Sequence, residues 1–386
     1  MRLEFSDTCC VGVWLPIETI RRKGYSCAFP LFSRAGLENV SQISVIMPVH
    51  NGERFVGEAI ESILNQTFTD YELIIVDDGS TDTTPAILQR YEQADPRVRL
   101  YRHPTNRGVY LSRNLGCQHA NGSYLALMDA DDISLPDRLQ RQADYLNGSP
   151  NIGLVGSAAQ AIDESGHAQS VMHFPTLPGV LGWMILFSNF FVLSTVMIRR
   201  SIMEQLGYYR TDVNVGQDFD LWARAGRITQ MVNLPEPLVK YRVWNGSITS
   251  KRFEMQEQTA TRVVRDNVSC WIDRDITLEV AGALRSLNYG SNLPRPTELP
   301  LIRATAEALA LLRRAYCART QLSPEETRIV SRDAAYKHYA LAKLASQQSP
   351  ALAVALIARG LRISPDTLGS AALFAARKAL RASRKP

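Results

Sequence analysis

Four short apolar runs alternate with four helical patterns between residues 43 and 148, and this alternation constrains the fold more than any other feature of the sequence. The runs are ISVIMPV, YELIIVDD, VRLYRH and YLALMDAD. Each is followed by roughly 10–15 residues whose apolar side chains recur at helical spacing. Strands that alternate with helices form a parallel sheet, because each helix carries the chain back to start the next strand. We therefore predict an α/β fold, Rossmann-like, with a mostly parallel central sheet flanked by helices.

The remainder of the chain divides by its composition. Residues 1–42 show no clear period and are treated as an N-terminal extension, and the α/β domain is assigned to residues 43–250. From about residue 251 the sequence becomes rich in Ala, Leu and Arg, which predicts an α-helical C-terminal region over residues 251–386. Ser323 and Glu326 form the S-x-x-E pattern of a capping box, which marks the start of one of its helices.

Composition excludes several classes of protein. The net charge of +5, from 43 basic and 38 acidic residues, is too small for a nucleic-acid-binding protein. Six scattered cysteines without a CxxC pair argue against a zinc site or a disulfide framework, and they fit a reducing cytoplasm. The basic C-terminus predicts either a solvated helix or peripheral contact with the anionic inner face of the plasma membrane, through five residues: Arg377, Lys378, Arg381, Arg384 and Lys385.

An uncharged stretch, residues 177–198, is long enough to span a bilayer. Its prolines, glycines and polar residues favour a different interpretation. We predict a buried helix over residues 180–187, a turn at Ser188 and Asn189, and a core strand over residues 191–200.

Three predicted strands end in polar segments, PVHNGE, VDDGSTD and DADD. Ligands of open α/β sheets bind beyond the carboxyl ends of the strands, so these segments predict one site. The chain has no GxxxxGK[ST] loop and no GxGxxG after the first strand, which disfavours a Walker-type ATPase or a dinucleotide dehydrogenase. Carboxylates repel a diphosphate unless a divalent cation lies between them. We therefore predict Mg²⁺ or Mn²⁺ at Asp129 and Asp131, the alternative being that Asp131 and Asp132 cap the next helix.

Residues 43 to about 250 resemble the inverting, metal-dependent nucleotide-sugar glycosyltransferases of family 2, which have the GT-A fold. The resemblance rests on four segments that match in order and spacing: ISVIMPVHNGE, SILNQTFTDYELIIVDDGSTDTT, NRGVYLSRNLGCQHANGSYLALMDADDISLPDRLQRQ and GQDFDLWAR. It implies a nucleotide-sugar site formed by eight residues: Pro48, Val49, His50, Glu53, Asp78, Arg113, Asp129 and Ala130.

The resemblance also assigns roles within that site. Asp78 would contact the base, and Arg113 would lie near the nucleotide. Asp129 and Asp131 would be the DxD pair that binds Mn²⁺ or Mg²⁺, with Asp131 the first choice as direct ligand and Asp132 as a further contact. His50 stands where the family usually has a tyrosine, and it is either a stacking partner for the base or an ordinary loop residue.

The segment GQDFDLW carries the second half of the predicted site. A sugar hydroxyl is a poor nucleophile, and a positioned carboxylate can accept its proton as it attacks. By resemblance this catalytic base is Asp218, and Asp220 is the alternative. Trp222 is expected to belong to the core, although a tryptophan there could stack on a sugar ring.

Three positions depart from the family pattern. Gln217 replaces a glutamate before the predicted base, which removes one neighbouring charge. Trp244 and Leu193 stand where the family often has histidines. These departures affect the expected phosphate and acceptor contacts, and they leave the predicted metal pair and base in place.

The resemblance implies transfer of a sugar from a nucleotide diphosphate, with UDP as the first choice, to a hydroxyl of a glycan or lipid-linked acceptor in bacterial surface polysaccharide synthesis. Two alternatives are kept. One is a metal-dependent nucleotidyltransferase, although PVHNGERF lacks the glycine-rich and basic loop of that class. The other is a non-catalytic sugar-nucleotide-binding or scaffold protein, which the changes at Gln217 and Trp244 would allow.

Overall fold

The computed structural model describes residues 42–213, 215–244, 253–288, 291 and 293–369, and it confirms the predicted α/β fold with a helical C-terminal region. The strands are β1 (Ile43–Val49), β2 (Tyr71–Asp77), β3 (Val98–Arg102), β4 (Tyr124–Leu127), β5 (Ile133–Ser134), β6 (Ile152–Ile162), β7 (Ala168–Met172), β8 (Met197–Arg199) and β9 (Gln230–Arg242). The helices are α1 (Val56–Leu64), α2 (Thr84–Ala94), α3 (Val109–Gln118), α4 (Arg138–Gly148), α5 (Pro178–Met184), α6 (Arg200–Leu206), α7 (Gln217–Ala225), α8 (Phe253–Ile272), α9 (Leu278–Ser286), α10 (Leu299–Arg319), α11 (Pro324–Ala345) and α12 (Pro350–Ile363).

The strands form one sheet in the order β3-β2-β1-β4-β8-β6-β9-β5, with β7 paired to β6. Strand β1 pairs in parallel with β2 and β4, and β2 pairs in parallel with β3. Every residue of β1 and β2 is buried, as expected for strands covered by helices on both faces. Helix α3 packs closely on them because Gly116 has no side chain, and a Cβ there would lie 2.7 Å from the Ile46 side chain. Because β1 runs parallel to both β2 and β4, the carboxyl ends of these three strands lie at one edge of the sheet.

The other half of the sheet is mixed. Strands β8 and β4 are antiparallel, while β6 and β9 are parallel to each other. The far end of β9 pairs with β5, so that Lys240 lies opposite Ile133. Strand β5 directly follows residues 129–132, which we call the acidic turn. This pairing brings the end of β9 to the acidic turn, although more than 100 residues separate them in the chain.

The C-terminal helices share a hydrophobic core with the α/β region. Helix α8 packs against α7 and α11 packs against α5. One buried cluster joins Phe219 and Trp222 of α7 to Val264 and Val268 of α8 and to Leu309 of α10. The burial of this apolar surface stabilises the packing of α7 against the C-terminal helices.

Helix α5 is also held by polar contacts from the C-terminal helices. The backbone N–H of Gly179 donates to Glu326 Oε1 at 2.7 Å, and the hydroxyl of Tyr316 donates to the Gly179 carbonyl at 2.7 Å. The indole N–H of Trp183 donates to Asp333 Oδ2 at 2.6 Å. The predicted capping box is confirmed, since Ser323 and Glu326 each accept a hydrogen bond from the other's backbone N–H.

The uncharged stretch folds partly as predicted. Its helix, α5, begins and ends earlier than residues 180–187, at Pro178 and Met184. The predicted core strand over residues 191–200 was wrong in length, because a 3₁₀ turn at Leu193–Thr195 precedes the short strand β8. The Thr195 hydroxyl donates to the Val192 carbonyl at 2.7 Å, which stabilises this turn. Among the described residues, no helix combines the length and the apolar character that a membrane crossing requires.

Two predicted segments lie outside the described residues. They are nearly all of the N-terminal extension and the five basic residues of the C-terminus. The predicted domain boundary near residue 250 also falls outside them, so the division into residues 43–250 and 251–386 stays a prediction.

Glu326 offers a test of how far the C-terminal helices stabilise the fold. We expect Glu326→Ala to lower the free energy of unfolding by about 1–3 kcal/mol, because the buried N–H of Gly179 loses its acceptor and the N–H of Ser323 loses its capping partner. Urea denaturation measures the change. Glu325→Ala, an exposed change in the same helical turn, is the matched control and should alter stability little. Equal effects of the two variants would show that the Glu326 contacts contribute nothing.

Candidate active site

The polar loops after β1 and β2 lie side by side, as the shared strand edge predicts. The backbone N–H of Asn51 donates to Ser80 Oγ at 2.9 Å, and that of Gly52 donates to Thr84 Oγ1 at 2.9 Å. Glu53 accepts from the backbone N–H of Thr83 at 3.0 Å and from its hydroxyl at 2.6 Å. Glu53 thus joins the two loops.

The first three predicted nucleotide-site residues occupy the end of β1 and the loop beyond it. Pro48 and Val49 are buried, whereas His50 is exposed. The His50 Nδ1 atom lies 3.0 Å from the backbone carbonyl oxygen of Asp78, which follows β2. The exposed imidazole is therefore held over the same strand edge, and its contact with a nucleobase stays a prediction.

The Asp78 carboxylate binds the loop that precedes α3. Its Oδ1 accepts from the backbone N–H of Arg107 and its Oδ2 from that of Gly108, each at 2.8 Å. Gly108 adopts a φ of 101°, which favours glycine. Asp78 therefore fixes the start of α3, and the base contact predicted for it would have to share these oxygens.

Arg113 supplies positive charge at the end of β4. It projects from α3, is 5% exposed and forms an ion pair with Asp129 of the acidic turn. Its guanidinium lies 5.4 Å from the ring centroid of Tyr110 and 5.9 Å from that of Tyr209. Arg113 therefore contacts one of the two predicted metal ligands, and its predicted position near the nucleotide stays a prediction.

The rest of the acidic turn contacts the end of β9. The indole N–H of Trp244 donates to Asp131 Oδ2 at 2.8 Å. Arg242 donates from Nε to the Asp131 carbonyl at 2.8 Å and from its backbone N–H to Asp132 Oδ1 at 2.8 Å. Its guanidinium also pairs with Glu58 at 2.5 Å. Arg242 was not predicted from the sequence. The tyrosine–arginine pair that precedes Trp244 is the sequence feature that could have identified it.

The ionised forms of Asp131 and Asp132 in the acidic turn are disfavoured by their surroundings. Burial and repulsion from Asp129 raise the pKa of Asp131. Burial and repulsion from Asp131 and Asp129 raise the pKa of Asp132 well above its ordinary value. Asp132 Oδ2 is buried without a hydrogen-bond partner among the described residues. These properties indicate that the neighbouring arginines do not fully compensate the carboxylates.

The acidic turn fits a divalent cation that is bound jointly with a substrate. Within the described ranges, no three His, Cys, Asp or Glu side chains form a metal-binding group. Mg²⁺ characteristically takes only one or two protein carboxylates, and substrate phosphates and water complete its coordination. Asp129 and Asp131 supply hard oxygen atoms of that kind, and their mutual repulsion favours a cation between them.

Asp218 lies in the first turn of α7, two residues after Gly216, whose φ is 70°. Its Oδ2 accepts from the side-chain amide of Asn189 at 2.9 Å. Burial raises the pKa of Asp218, while the backbone N–H of Phe219 and the charge of Arg113 oppose the rise. The structure therefore brings the predicted base into the same electrostatic environment as Arg113.

Asp220 has a different environment from Asp218. It is buried, and it pairs with Arg224 at 2.8 Å and with Arg210 at 3.8 Å. Each of its two carboxylate oxygens therefore faces a guanidinium group. This difference favours Asp218 over Asp220 as the base.

Four further positions considered in the sequence are the tryptophan and glutamine of α7, Leu193 and Ala130. Trp222 is fully buried and its ring centroid lies 5.8 Å from that of Phe191, which confirms the prediction that it belongs to the core. Gln217 is buried, and its Oε1 has no partner among the described residues. Leu193 begins the 3₁₀ turn before β8, and Ala130 lies half-buried within the acidic turn.

The chain is similar in sequence to one family profile and to several known proteins. The profile of glycosyl transferase family 2 matches residues 44–207. An uncharacterized glycosyltransferase of Haemophilus influenzae is 30% identical over 247 residues, which cover 62% of this chain and 76% of that protein. The O-antigen biosynthesis glycosyltransferase WbnJ of Escherichia coli is 30% identical over 246 residues, which cover 61% of this chain and 95% of WbnJ.

Among solved structures, S. aureus TarS in complex with UDP-GlcNAc has a TM-score of 0.52 at 17% identity, over 85% of this chain and 92% of that chain. This match indicates a shared fold, the GT-A fold that the sequence predicts. The family profile and the sequence relatives show that the chain belongs to glycosyl transferase family 2.

The ion pair of Arg113 can be tested directly. We expect Arg113→Met to lower the free energy of unfolding by about 2–3 kcal/mol, because Asp129 would lose its partner beside a second carboxylate, Asp218. Thermal or urea denaturation measures the loss. Arg54→Met breaks an exposed pair with Glu164 and is the control, for which we expect little change. A control loss as large as that of Arg113→Met would contradict the assignment.

Proposed function

We propose that the protein is an inverting, metal-dependent glycosyltransferase that moves a sugar from a nucleoside diphosphate, first of all UDP, to a hydroxyl group of a glycan or lipid-linked acceptor. One observation carries this proposal. Arg113 forms an ion pair with Asp129 of the acidic turn, and its charge also acts on Asp218, so one site holds a candidate metal pair and a candidate base. The sequence similarity to WbnJ, which is named for O-antigen biosynthesis, supports an acceptor in bacterial surface polysaccharide synthesis.

The donor side would be formed by the acidic turn and the loops after β1 and β2. Asp129 and Asp131 would hold Mg²⁺ or Mn²⁺, which when bound neutralises the diphosphate and stabilises the charge of the leaving group. His50 and the loop fixed by Asp78 would receive the nucleoside. The complex of TarS with UDP-GlcNAc supports UDP as the first carrier to test.

The acceptor side would use Asp218. Its carboxylate would take the proton of the acceptor hydroxyl as the oxygen attacks the anomeric carbon, and the nucleoside diphosphate would leave from the opposite face. A single displacement of this kind inverts the anomeric configuration. Asp220 is already paired with Arg224, so it is a poorer candidate for this proton transfer.

Each alternative makes a different prediction. A nucleotidyltransferase would not need a base at Asp218, and a non-catalytic binding protein would bind a sugar nucleotide without releasing nucleoside diphosphate. The buried Gln217 and the contact of Trp244 with Asp131 are the features that keep the binding protein as an alternative. The cytoplasmic location and the membrane contact of the basic C-terminus stay predictions.

The role of Asp218 predicts the behaviour of Asp218→Asn. We expect this variant to bind donor normally and to lose transfer by a factor of about 100–10,000, because the amide cannot accept the proton. Release of UDP from a panel of UDP-sugars, with and without added glycan acceptors, measures turnover, and calorimetry measures donor binding. Asp220→Asn should keep most of the turnover of the wild-type protein when turnover is expressed per folded molecule. Full turnover in Asp218→Asn would reject the assigned base.

The raised pKa of Asp218 also sets the direction of the pH dependence. A base must be ionised, so turnover should fall as the pH is lowered through a value above the ordinary aspartate pKa of about 3.9.

Removal of the metal tests the donor side. We expect EDTA to weaken UDP binding at least about tenfold, because the diphosphate would then meet the acidic turn without a cation. Added Mn²⁺ or Mg²⁺ should restore binding, and calorimetry measures it. Asp131→Asn should reduce this response to Mn²⁺, while Asp144→Asn, at an exposed position of α4, should retain it. Equally tight UDP binding in EDTA would refute metal dependence.

A further inference from the structure

Asn189 makes a directed hydrogen bond to the proposed base. Its Nδ2 donates to Asp218 Oδ2 at 2.9 Å, and its Oδ1 accepts from the backbone N–H of Phe191 at 3.1 Å. A backbone N–H can only donate, so the oxygen of the amide must face Phe191 and the NH₂ group must face Asp218. The orientation of the amide is therefore determined by its contacts.

The segment that carries Asn189 is itself held in place. The side-chain amide of Asn233, on β9, donates to the carbonyl of Phe190 at 3.1 Å. Phe191 is buried and packs against Trp222, which lies one turn along α7 from Asp218. Both the donor and the acceptor of the Asn189–Asp218 bond thus belong to one packed unit.

The same segment is connected to the C-terminal helices. It follows α5, where Trp183 donates to Asp333 of α11 at 2.6 Å. Lys337 of α11 also binds Asp333, at 2.6 Å, and lies 4.8 Å from the ring centroid of Phe187, two residues before Asn189. The helical region therefore has a physical connection to the base.

The other charged and titratable groups that act on Asp218 come from separate elements. Arg113 and Tyr110 belong to α3, Asp129 to the acidic turn, and Tyr209 follows α6. Burial and the charge of Asp218 raise the pKa of Tyr110 to about 12, so this tyrosine is neutral at ordinary pH. Arg113 forms its ion pair with Asp129. The side chain of Asn189, in contrast, hydrogen-bonds directly to the Asp218 carboxylate.

We propose that Asn189 is a positioning residue for the transfer reaction: it holds Oδ2 of Asp218 and leaves Oδ1 directed toward the acceptor hydroxyl. A carboxylate that rotates freely presents its oxygen in the right place only part of the time, and a misplacement of about 1 Å can cost about 100-fold in rate. This inference rests on the proposed role of Asp218 as the base.

The test is Asn189→Leu, which keeps a similar side-chain volume and removes the donor. We expect kcat for UDP release from UDP-sugars to fall about 10- to 100-fold, while KM for the donor and the calorimetric affinity for UDP stay within about twofold. Asn189→Gln, which keeps an amide, should recover part of the lost kcat. A change confined to kcat distinguishes positioning from a general loss of structure.

Asn267→Leu is the matched control. Asn267 is a buried asparagine of α8 whose Oδ1 accepts from Arg227, just beyond α7, at 2.8 Å, and within the described part of the chain its side chain forms no hydrogen bond with Asp218. This control should lose stability and keep its kcat. An unchanged kcat in Asn189→Leu, or a loss that follows stability as in Asn267→Leu, would overturn the inference.

A comparison with Asp218→Asn separates this inference from the proposed function. If Asp218→Asn is inactive while Asn189→Leu works at the normal rate, the positioning role fails and the base stands. If Asp218→Asn keeps its turnover, the base itself is wrong. When both roles hold, the double variant should be no slower than Asp218→Asn, because Asn189 acts only through Asp218.

Discussion

The buried guanidinium of Arg113 lies between two sources of negative charge, and the geometry of the site depends on it. It pairs with Asp129 and its charge also acts on Asp218. Without this cation, the partly buried carboxylates of Asp129 and Asp218 would repel each other with no positive charge beside them. The aromatic rings of Tyr110 and Tyr209 lie within cation–π distance and exclude water from part of its surface. A single arginine on α3 therefore allows the proposed donor and acceptor halves of the site to lie close together.

The position of Asp218, the proposed base, depends on elements far from the sheet edge. Helix α7, which carries Asp218, packs on α8, and the segment of Asn189 follows a helix bound by α11. The C-terminal region thus contributes to the geometry of the site through burial and a few directed hydrogen bonds. This connection gives the helical region a structural role in addition to any contact with acceptor or membrane.

Sequence reasoning worked where the signal is local. Strand and helix periodicity predicted the parallel half of the sheet, and the apolar run before Asp129 predicted that the acidic turn would lie at a strand end. It failed for the strand over residues 191–200, where the Thr195 hydroxyl stabilises a tight turn that no period reveals. It also missed Arg242 and Asn189, because their partners lie 110 and 29 residues away in the chain.

The sequence by itself determined the α/β class, the order of the elements and the set of acidic residues placed at strand and helix ends. These properties follow from the period of the side chains and from the apolar or polar character of short segments. Only the tertiary structure decided which partner each carboxylate has: Arg113 for Asp129, Trp244 for Asp131 and Asn189 for Asp218. Such pairings require atoms to meet within about 3 Å, and the register of the sheet and the packing of distant helices set those distances.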